Sequence, residues 1–174
     1  MTSANLTRAE TAARAAVIFL RDARVELDVS GAPDAARTGF PTIVTLAFDA
    51  QTDATWIDFQ GETVLRVEVN GAEQDVAWDG ARIRIGGLRN GANEVRIEAV
   101  GAYSRSGEGL HRFRDPVDDQ TYLYTQYEPA DARRVRPVAR RLALGERGGR
   151  GQRAARLVVR VERAGDDKVG EGVL

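Results

Sequence analysis

Two polar residues at the end of a predicted strand are the strongest candidates for a binding site in this sequence. Residues 120–128 alternate in character, and Gln126 and Glu128 stand at positions i and i+2. Side chains two apart on a strand point to the same face, so we expect both to face one ligand. A carboxylate supplies charge and an amide carbonyl supplies a second acceptor, a combination that suits an ammonium group. Without such a ligand, the pair is simply a polar strand end.

The rest of the chain offers few groups for catalysis. Because it has no Cys, the sequence excludes disulfide scaffolds, thiolate zinc sites, Fe–S clusters and Cys nucleophiles. His111 is the one histidine and lies beside two arginines, so we predict that it makes a loop hydrogen bond and binds no metal. The acidic pair Asp118-Asp119 lacks the spaced oxygen ligands of a calcium loop. We therefore predict no catalytic residue and no metal site in this chain.

The candidate site must be carried by β-strands, because residues 24–100 follow a period of two. Six short alternating runs are separated by turn residues such as Asn70-Gly71, Asp79-Gly80 and Asn90-Gly91. The apolar members predicted to face the core are Val25, Leu27, Val29, Val44, Leu46, Phe48, Ile57, Phe59, Leu65, Val67, Val69, Ile83, Ile85, Val95, Ile97 and Ala99. This pattern predicts an all-β fold built as an antiparallel sheet or sandwich, because no βαβ repeat is present.

A short helix precedes the predicted strands. Thr7 and Glu10 have the spacing of a capping box, and the alanines that follow favour helix. We expect this helix to end near Arg21–Ala23. The two tryptophans, Trp56 and Trp78, are expected in the core or on strand faces.

Length and charge divide the chain in two. Its 174 residues suffice for one domain with a sizeable core. Residues 136–174 carry ten basic and five acidic residues, whereas the preceding 135 carry 15 basic and 21 acidic residues. The basic segment is also Gly-rich and lacks aromatic residues. We therefore place a boundary near Val135, with a β domain over residues 1–135 and a disordered or irregular Arg/Gly-rich tail over residues 136–174.

Two long strings in the sequence resemble a known family. They are Gly-Leu-His-Arg-Phe at residues 109–113 and Thr-Gln-Tyr-Glu-Pro-Ala-Asp-Ala-Arg-Arg at residues 125–134. Both resemble the N-terminal domain of the M1 (gluzincin) zinc aminopeptidases, especially the actinobacterial aminopeptidase N branch. The opening residues 5–10 are similar to that branch as well. The resemblance implies a saddle-shaped β domain, incomplete here, which covers a catalytic metallopeptidase domain.

The resemblance also implies a role for the candidate site. In the family, the residues at the positions of Gln126 and Glu128 help to hold the free α-amino group of a peptide substrate. A fixed anchor for this group sets the distance from the peptide N-terminus to the scissile carbonyl. The zinc-dependent chemistry of the full-length family requires the strings His-Glu-x-x-His and Gly-Ala-Met-Glu-Asn and a further Glu on a later helix, and none of these occurs here. We expect this chain to bind no cofactor and to be inactive as a hydrolase by itself.

After Val135 the sequence departs from the pattern of the family. The family continues with a Phe-Pro-x-Phe-Asp-x-Pro-type string, whereas this chain reads Arg-Pro-Val-Ala-Arg-Arg over residues 136–141. We interpret residues 136–174 as the product of a truncated or frameshifted reading frame. A neighbouring frame that encodes the rest of a metallopeptidase would support this interpretation.

A second function fits the same residues. The chain could be a standalone β-sandwich module that binds a protein or peptide partner through residues 103–128 without catalysis. Nucleic acid is not an expected partner, because no aromatic residue is interleaved with the arginines of residues 133–141. No apolar run reaches the ~20 residues of a membrane span, and no secretory leader is evident. We therefore expect a cytoplasmic protein with no membrane partner.

Overall fold

A capped helix opens the structure. The computed structural model describes residues 7–126 and 131–139, together with the backbone of two later strands. Helix α1 spans Arg8–Val17. The predicted capping box is confirmed, because the Glu10 amide donates to Thr7 Oγ1 at 3.2 Å and the Thr7 amide donates to Glu10 Oε2 at 2.8 Å. The prediction that the helix ends near Arg21–Ala23 is wrong, because the residues after Val17 pair in a strand instead.

The rest of the described chain is mostly strand, which confirms the predicted all-β class with a short N-terminal helix. The strands are β1 Ile18–Asp28, β2 Gly39–Ala50, β3 Thr55–Asp58, β4 Thr63–Val69, β5 Ala72–Gln74, β6 Arg82–Ile85, β7 Gly91–Ser104, β8 Gly109–Arg114, β9 Thr121–Gln126, β10 Arg156–Arg163 and β11 Asp166–Val173. A second helix, α2, spans Ala132–Val135.

The strands form one curled sheet and a small second sheet. The order in the large sheet is β11-β10-β1-β2-β7-β4-β5, and the end of β7 also pairs with β8, which pairs with β9. Strands β3 and β6 form the second sheet. Most neighbours are antiparallel, as predicted, but β1 with β10 and β7 with β8 are parallel pairs.

The core lies on the inner faces of these strands. Nearly all of the apolar residues predicted to face inward are buried, and Val25, Val44, Val95 and Ile97 are fully so. Leu65 is the exception, with 60% of its surface exposed. The pairing of β4 with β7 shifts register between Val64 and Arg66, so Val64 takes the inward position in place of Leu65.

The predicted turn residues adopt the backbone angles that their residue types favour. Asn70 and Gly71 connect β4 to β5, with φ of 52° and 80°. Two successive positive φ values are typical of the tight type I′ hairpin turn, which confirms the predicted hairpin at this point.

The packed unit extends past the boundary predicted near Val135. Val138 exchanges backbone hydrogen bonds of 3.0 and 2.9 Å with Asp58 on β3. Arg136, Val138 and Ala139 are all buried. These residues therefore close the free side of β3 and belong to the same core as the strands.

Two strands lie in the segment predicted to be a disordered or irregular tail. Strand β10 pairs with β1 over five residues, from Arg24 opposite Arg156 to Asp28 opposite Arg160. Strand β11 then pairs with β10 in the antiparallel sense. The backbone of this hairpin pairs with the outer edge of β1 and extends the large sheet by two strands.

Candidate functional site

The β8–β9 hairpin carries the candidate site. Its register sets Gly109 opposite Gln126, His111 opposite Tyr124 and Phe113 opposite Tyr122. Residues directly opposite in a sheet share a face, and so do residues two apart on a strand. The aromatic and imidazole rings therefore lie on the same face of the hairpin as Gln126, as the alternation in the sequence predicts.

Gly109 allows helix α2 to pack against the start of β8. Its φ is +70°, and a Cβ at this position would lie 3.1 Å from Arg134 Cβ and 3.5 Å from Val135 Cγ2. Val135 is fully buried, and Arg134 forms ion pairs of 3.0 Å with Glu108 and 3.2 Å with Asp131. The backbone opposite Gln126 is thus fixed by a buried helix, and any larger residue at Gly109 would displace it.

A row of half-exposed rings leads to Gln126. Phe113, Tyr122 and Tyr124 are 46%, 49% and 49% exposed, which is unusual for side chains of this size. His111 stacks on Tyr124 with ring centroids 4.6 Å apart, and its Nδ1 accepts a hydrogen bond of 3.0 Å from the Gly107 amide. The prediction that His111 makes a loop hydrogen bond is confirmed.

The turn between β8 and β9 is held by paired charges. Arg114 makes two hydrogen bonds to the Asp119 carboxylate, at 2.7 and 2.6 Å, and these lower the pKa of Asp119. The Tyr122 hydroxyl donates to Asp118 Oδ2 at 2.6 Å, which raises the pKa of Tyr122 and lowers that of Asp118. Both aspartates therefore stabilise the turn, Asp119 through Arg114 and Asp118 through Tyr122.

The opposite face of the hairpin packs on the core. Leu123 is partly buried against the core cluster, and Leu110 is buried. The Arg112 guanidinium lies 4.5 Å from the centre of the Tyr103 ring and donates to the Ala32 and Asp34 carbonyls at 3.4 and 3.1 Å. Burial raises the pKa of Tyr103. These contacts hold the hairpin to the rest of the sheet.

Gln126 ends β9 with an exposed side chain. In the part of the chain that the structure describes, its side-chain amide makes no hydrogen bond, so its carbonyl and NH₂ groups are available to a ligand. Glu128, its predicted companion, lies outside the described residues. The structure therefore places one free side-chain amide at the end of the row of exposed aromatic rings.

The arginines after the site are structural in character. Arg133 and Arg136 are buried, and Arg134 is ion-paired as described above. Burial and pairing leave these residues poorly suited to bind the phosphates of a nucleic acid.

A cleft outside the β8–β9 hairpin was missed by sequence reasoning. This cleft has a volume of about 690 Å³ and is lined by residues that include Trp56, Gln74, Asp75, Arg82 and Arg84. The Arg14 and Arg82 guanidinium groups lie 5.2 and 5.6 Å from the centre of the Trp56 ring. The lining residues fall within residues 54–86, but Arg14 is 42 positions from Trp56 in the sequence, so no local spacing predicts that contact.

Neither a metal centre nor a spanning helix is found in the described ranges. Within residues 7–126 and 131–139, no three His, Asp or Glu side chains are grouped so that they could hold a metal ion. Over the same residues, no helix is long and apolar enough to cross a membrane.

One curated relative matches most of this chain. It is aminopeptidase N of Streptomyces lividans, which is 42% identical over 139 residues, or 78% of this chain. The chain spans only 16% of the length of that relative. No family model matches the sequence.

Solved structures share the fold at low sequence identity. Leukotriene A4 hydrolase of Saccharomyces cerevisiae superimposes with a TM-score of 0.64 at 14% identity, over 84% of this chain and 24% of that one. Aminopeptidase A of Legionella pneumophila gives 0.59 at 12% identity, over 83% and 16% of the two chains. The M1 zinc metallopeptidase of Deinococcus radiodurans gives 0.55 at 17% identity, over 83% and 32%.

Proposed function

This chain belongs to the M1 zinc aminopeptidase family, of which it matches the N-terminal β domain, and we propose that it contributes recognition of the substrate α-amino group. In this proposal, Gln126 and Glu128 bind the free N-terminus of a peptide. The cleavage of that peptide takes place on a catalytic metallopeptidase domain, which is the partner of this chain in the full-length protein.

The observation that carries the proposal is the state of Gln126. Its amide is exposed at the end of β9 and makes no hydrogen bond within the described part of the chain. Its backbone, in contrast, is fixed by pairing with Gly109, against which helix α2 packs. A free polar group on a fixed backbone can bind a ligand at little entropic cost.

The chemistry of the pair suits an ammonium group. A peptide N-terminus has three N–H donors and a positive charge, so it needs acceptors and a negative partner. The Gln126 carbonyl oxygen supplies one acceptor, and the Glu128 carboxylate supplies further acceptors and the charge. An anchor of this kind sets the register of the substrate, which is what the removal of one N-terminal residue at a time requires.

The zinc of the family does not fit this chain. The chain has one His and no Cys, and the described ranges hold no group of potential metal ligands. A catalytic zinc site needs three protein ligands on one ion. We therefore assign the metal, and the hydrolysis that depends on it, to the rest of the full-length protein.

A chimeric enzyme tests the proposal. Residues 1–139 of this chain, which include the buried segment that pairs with β3, would replace the matching segment of the Streptomyces lividans relative, and hydrolysis of an aminoacyl chromogenic amide would be measured. We expect Glu128→Ala and Gln126→Ala each to lower kcat/KM by about tenfold or more, because each removes a hydrogen bond to a charged group. Gln120→Ala, in the turn before β9, is the matched control. Unchanged turnover in both site variants would refute the role in amine recognition.

The alternative of a standalone binding module is supported by a different observation, the exposed rings of Phe113, Tyr122 and Tyr124. Aromatic side chains of this kind are enriched in the centre of protein interfaces. The chimera separates the two functions: an active chimera that depends on Glu128 favours the aminopeptidase domain, whereas a chimera that is folded but inert favours the separate module.

A further inference from the structure

An imidazole ring joins the loop of residues 105–108, between β7 and β8, to the β8–β9 hairpin. The Gly107 amide donates to His111 Nδ1 at 3.0 Å. His111 in turn stacks on Tyr124 of β9, with ring centroids 4.6 Å apart and an angle of 28° between the rings. The Tyr124 hydroxyl lies beside the loop as well, since a Cβ at Gly107 would be 3.9 Å from it. His111 therefore connects this loop to both strands of the hairpin.

The hydrogen bond at Nδ1 determines where the ring can carry a proton. An acceptor nitrogen has no hydrogen, so the neutral imidazole carries its single N–H on Nε2. A second proton would bind Nδ1, where it would face the Gly107 N–H, and two donors cannot form a hydrogen bond with each other. The contact between the loop and the ring is therefore possible only while His111 is neutral.

The surroundings of His111 offer the charged ring no replacement partner. The titratable and charged side chains on the elements beside it are those of Tyr103, Arg105, Glu108, Arg112, Arg114, Tyr122, Tyr124 and Arg134. Glu108 is the carboxylate of this set, and it forms an ion pair of 3.0 Å with Arg134. Arg112 lies on the opposite face of β8, over Tyr103. Within residues 7–126 and 131–139, no carboxylate forms a hydrogen bond or an ion pair with His111.

We propose that His111 is a proton-sensitive latch, which holds the loop of residues 105–108 on the β8–β9 hairpin when it is neutral and releases the loop when it is protonated. The release is confined to the loop. The six residue pairs between β8 and β9 are made by the backbone, and a cationic ring is still attracted to the face of Tyr124. The hairpin therefore stays paired while Gly107 loses its acceptor.

The latch also bears on the candidate site, and this step rests on the proposed function. The loop contains Glu108, which pairs with helix α2, and it leads into Gly109, which pairs with Gln126. Greater freedom in the loop gives greater freedom to the backbone that carries Gln126. We therefore expect amine recognition to weaken as His111 takes up a proton.

Amide exchange in the full 174-residue chain tests the latch. NMR would follow the titration of the His111 ring from about pH 8 to about pH 5, the range in which histidine side chains change charge. It would also follow the exchange of the Gly107 amide with water, relative to the exchange of an unstructured chain at the same pH. We expect the protection of Gly107 to fall about three- to tenfold along the titration curve of His111, because the amide loses one hydrogen bond.

Two variants separate the acceptor from the ring. His111→Asn keeps a side-chain acceptor that does not titrate, so Gly107 should stay protected over the whole pH range. His111→Phe keeps a ring on Tyr124 but has no acceptor, so the protection of Gly107 should be low throughout. The amides of Val44 and Ile97, on paired core strands, are the control, since they should stay protected in every sample.

Several results would overturn the latch. They are constant protection of Gly107 while the His111 ring titrates, a ring that stays neutral down to about pH 5, and a loss of protection in His111→Asn as large as that in the unmodified chain.

The chimera tests the link to the candidate site separately. The ratio of kcat/KM for a His111→Asn chimera to that for the chimera with His111 should rise about threefold or more between about pH 8 and about pH 5. A constant ratio, in a chain whose latch is seen by amide exchange, overturns the link to amine recognition but supports the latch. If Gln126→Ala and Glu128→Ala leave turnover unchanged, the proposed function fails, whereas amide exchange still decides whether the latch exists.

Discussion

Glu10 connects the cap of helix α1 to the second sheet. Its carboxylate accepts hydrogen bonds from the Thr7 amide and hydroxyl, at 2.8 and 2.9 Å, and from Arg82 Nη1 at 2.7 Å. The hydrogen bond from Arg82, followed by those from Thr7, lowers the pKa of Glu10 from 4.5 to about 2. One side chain thus links the start of the helix to the strand that lies beside Trp56.

The lowered pKa makes this link depend on pH. A carboxylate with a lower pKa in the folded state stabilises the fold above its unfolded pKa, and the contribution is lost as pH falls through the folded value. We expect Glu10→Gln to lower the midpoint of thermal unfolding at neutral pH. The difference from the unmodified chain should shrink below pH 4.5 and vanish near pH 2.

Thermal melts of the two proteins across this pH range provide the measurement. Glu94→Gln is the control, because the Glu94 carboxylate is exposed and makes no hydrogen bond or ion pair in the described ranges. A difference between Glu10→Gln and the unmodified chain that is constant from neutral pH to pH 2 would contradict the assigned role of Glu10.

Helix α1 is attached to strand β3 by a buried ion pair. Arg14 Nη2 lies 2.9 Å from Asp58 Oδ2, and the two side chains are only 4% and 6% exposed. Arg14 Nη1 also donates to the Trp56 carbonyl at 3.2 Å. A short helix with ten residues has little stability of its own, so these contacts hold it in place.

Removal of one partner should therefore destabilise the whole fold. We expect Arg14→Ala to lower the free energy of unfolding in urea by about 3 kcal/mol, because it leaves the Asp58 carboxylate buried and unpaired. Arg21→Ala is the matched control, since Arg21 pairs with Asp49 at an exposed position and should cost less than about 1 kcal/mol. Equal effects of the two substitutions would show that the Arg14 pair behaves as a surface pair.

The sequence predicts the strands and turns well because their signals are local. Alternation marks the inner face of β2, and the Asn70-Gly71 pair marks a hairpin turn, without reference to the rest of the chain. Leu65 escapes this reasoning because the register shift that turns it outward depends on how β4 pairs with β7. The partnership of Arg14 and Asp58 joins residues 44 positions apart, and no local pattern encodes it.

The candidate site, too, could be predicted from the sequence only in part. The alternation in β9 predicts that Gln126 shares a face with Tyr122 and Tyr124, as the structure has it. The fixed backbone beneath Gln126 depends on Gly109, whose importance appears only when helix α2 packs against it. The role of Gln126 and Glu128 toward an amine stays a prediction, for which the chimera is the test.

The tendency of the whole molecule to associate depends on the strands at the edge of its large sheet. The β10–β11 hairpin lies against β1, whose inner residues Val25 and Leu27 belong to the core. Without β10, the outer backbone groups of β1 would be exposed next to this core. Exposed edges of this kind lead to association between chains.

Truncation after Ala139 should therefore increase the association between chains. We expect loss of the five-residue pairing with β1 to lower the free energy of unfolding by about 2–5 kcal/mol, since each lost backbone hydrogen bond contributes about 0.5–1.5 kcal/mol. Light scattering across a concentration series would detect the association. A peptide of residues 154–174 added in trans should reverse this association, whereas a scrambled peptide should not. A truncated chain that stays monomeric and unfolds like the full chain would mean that the hairpin contributes nothing to the edge of β1.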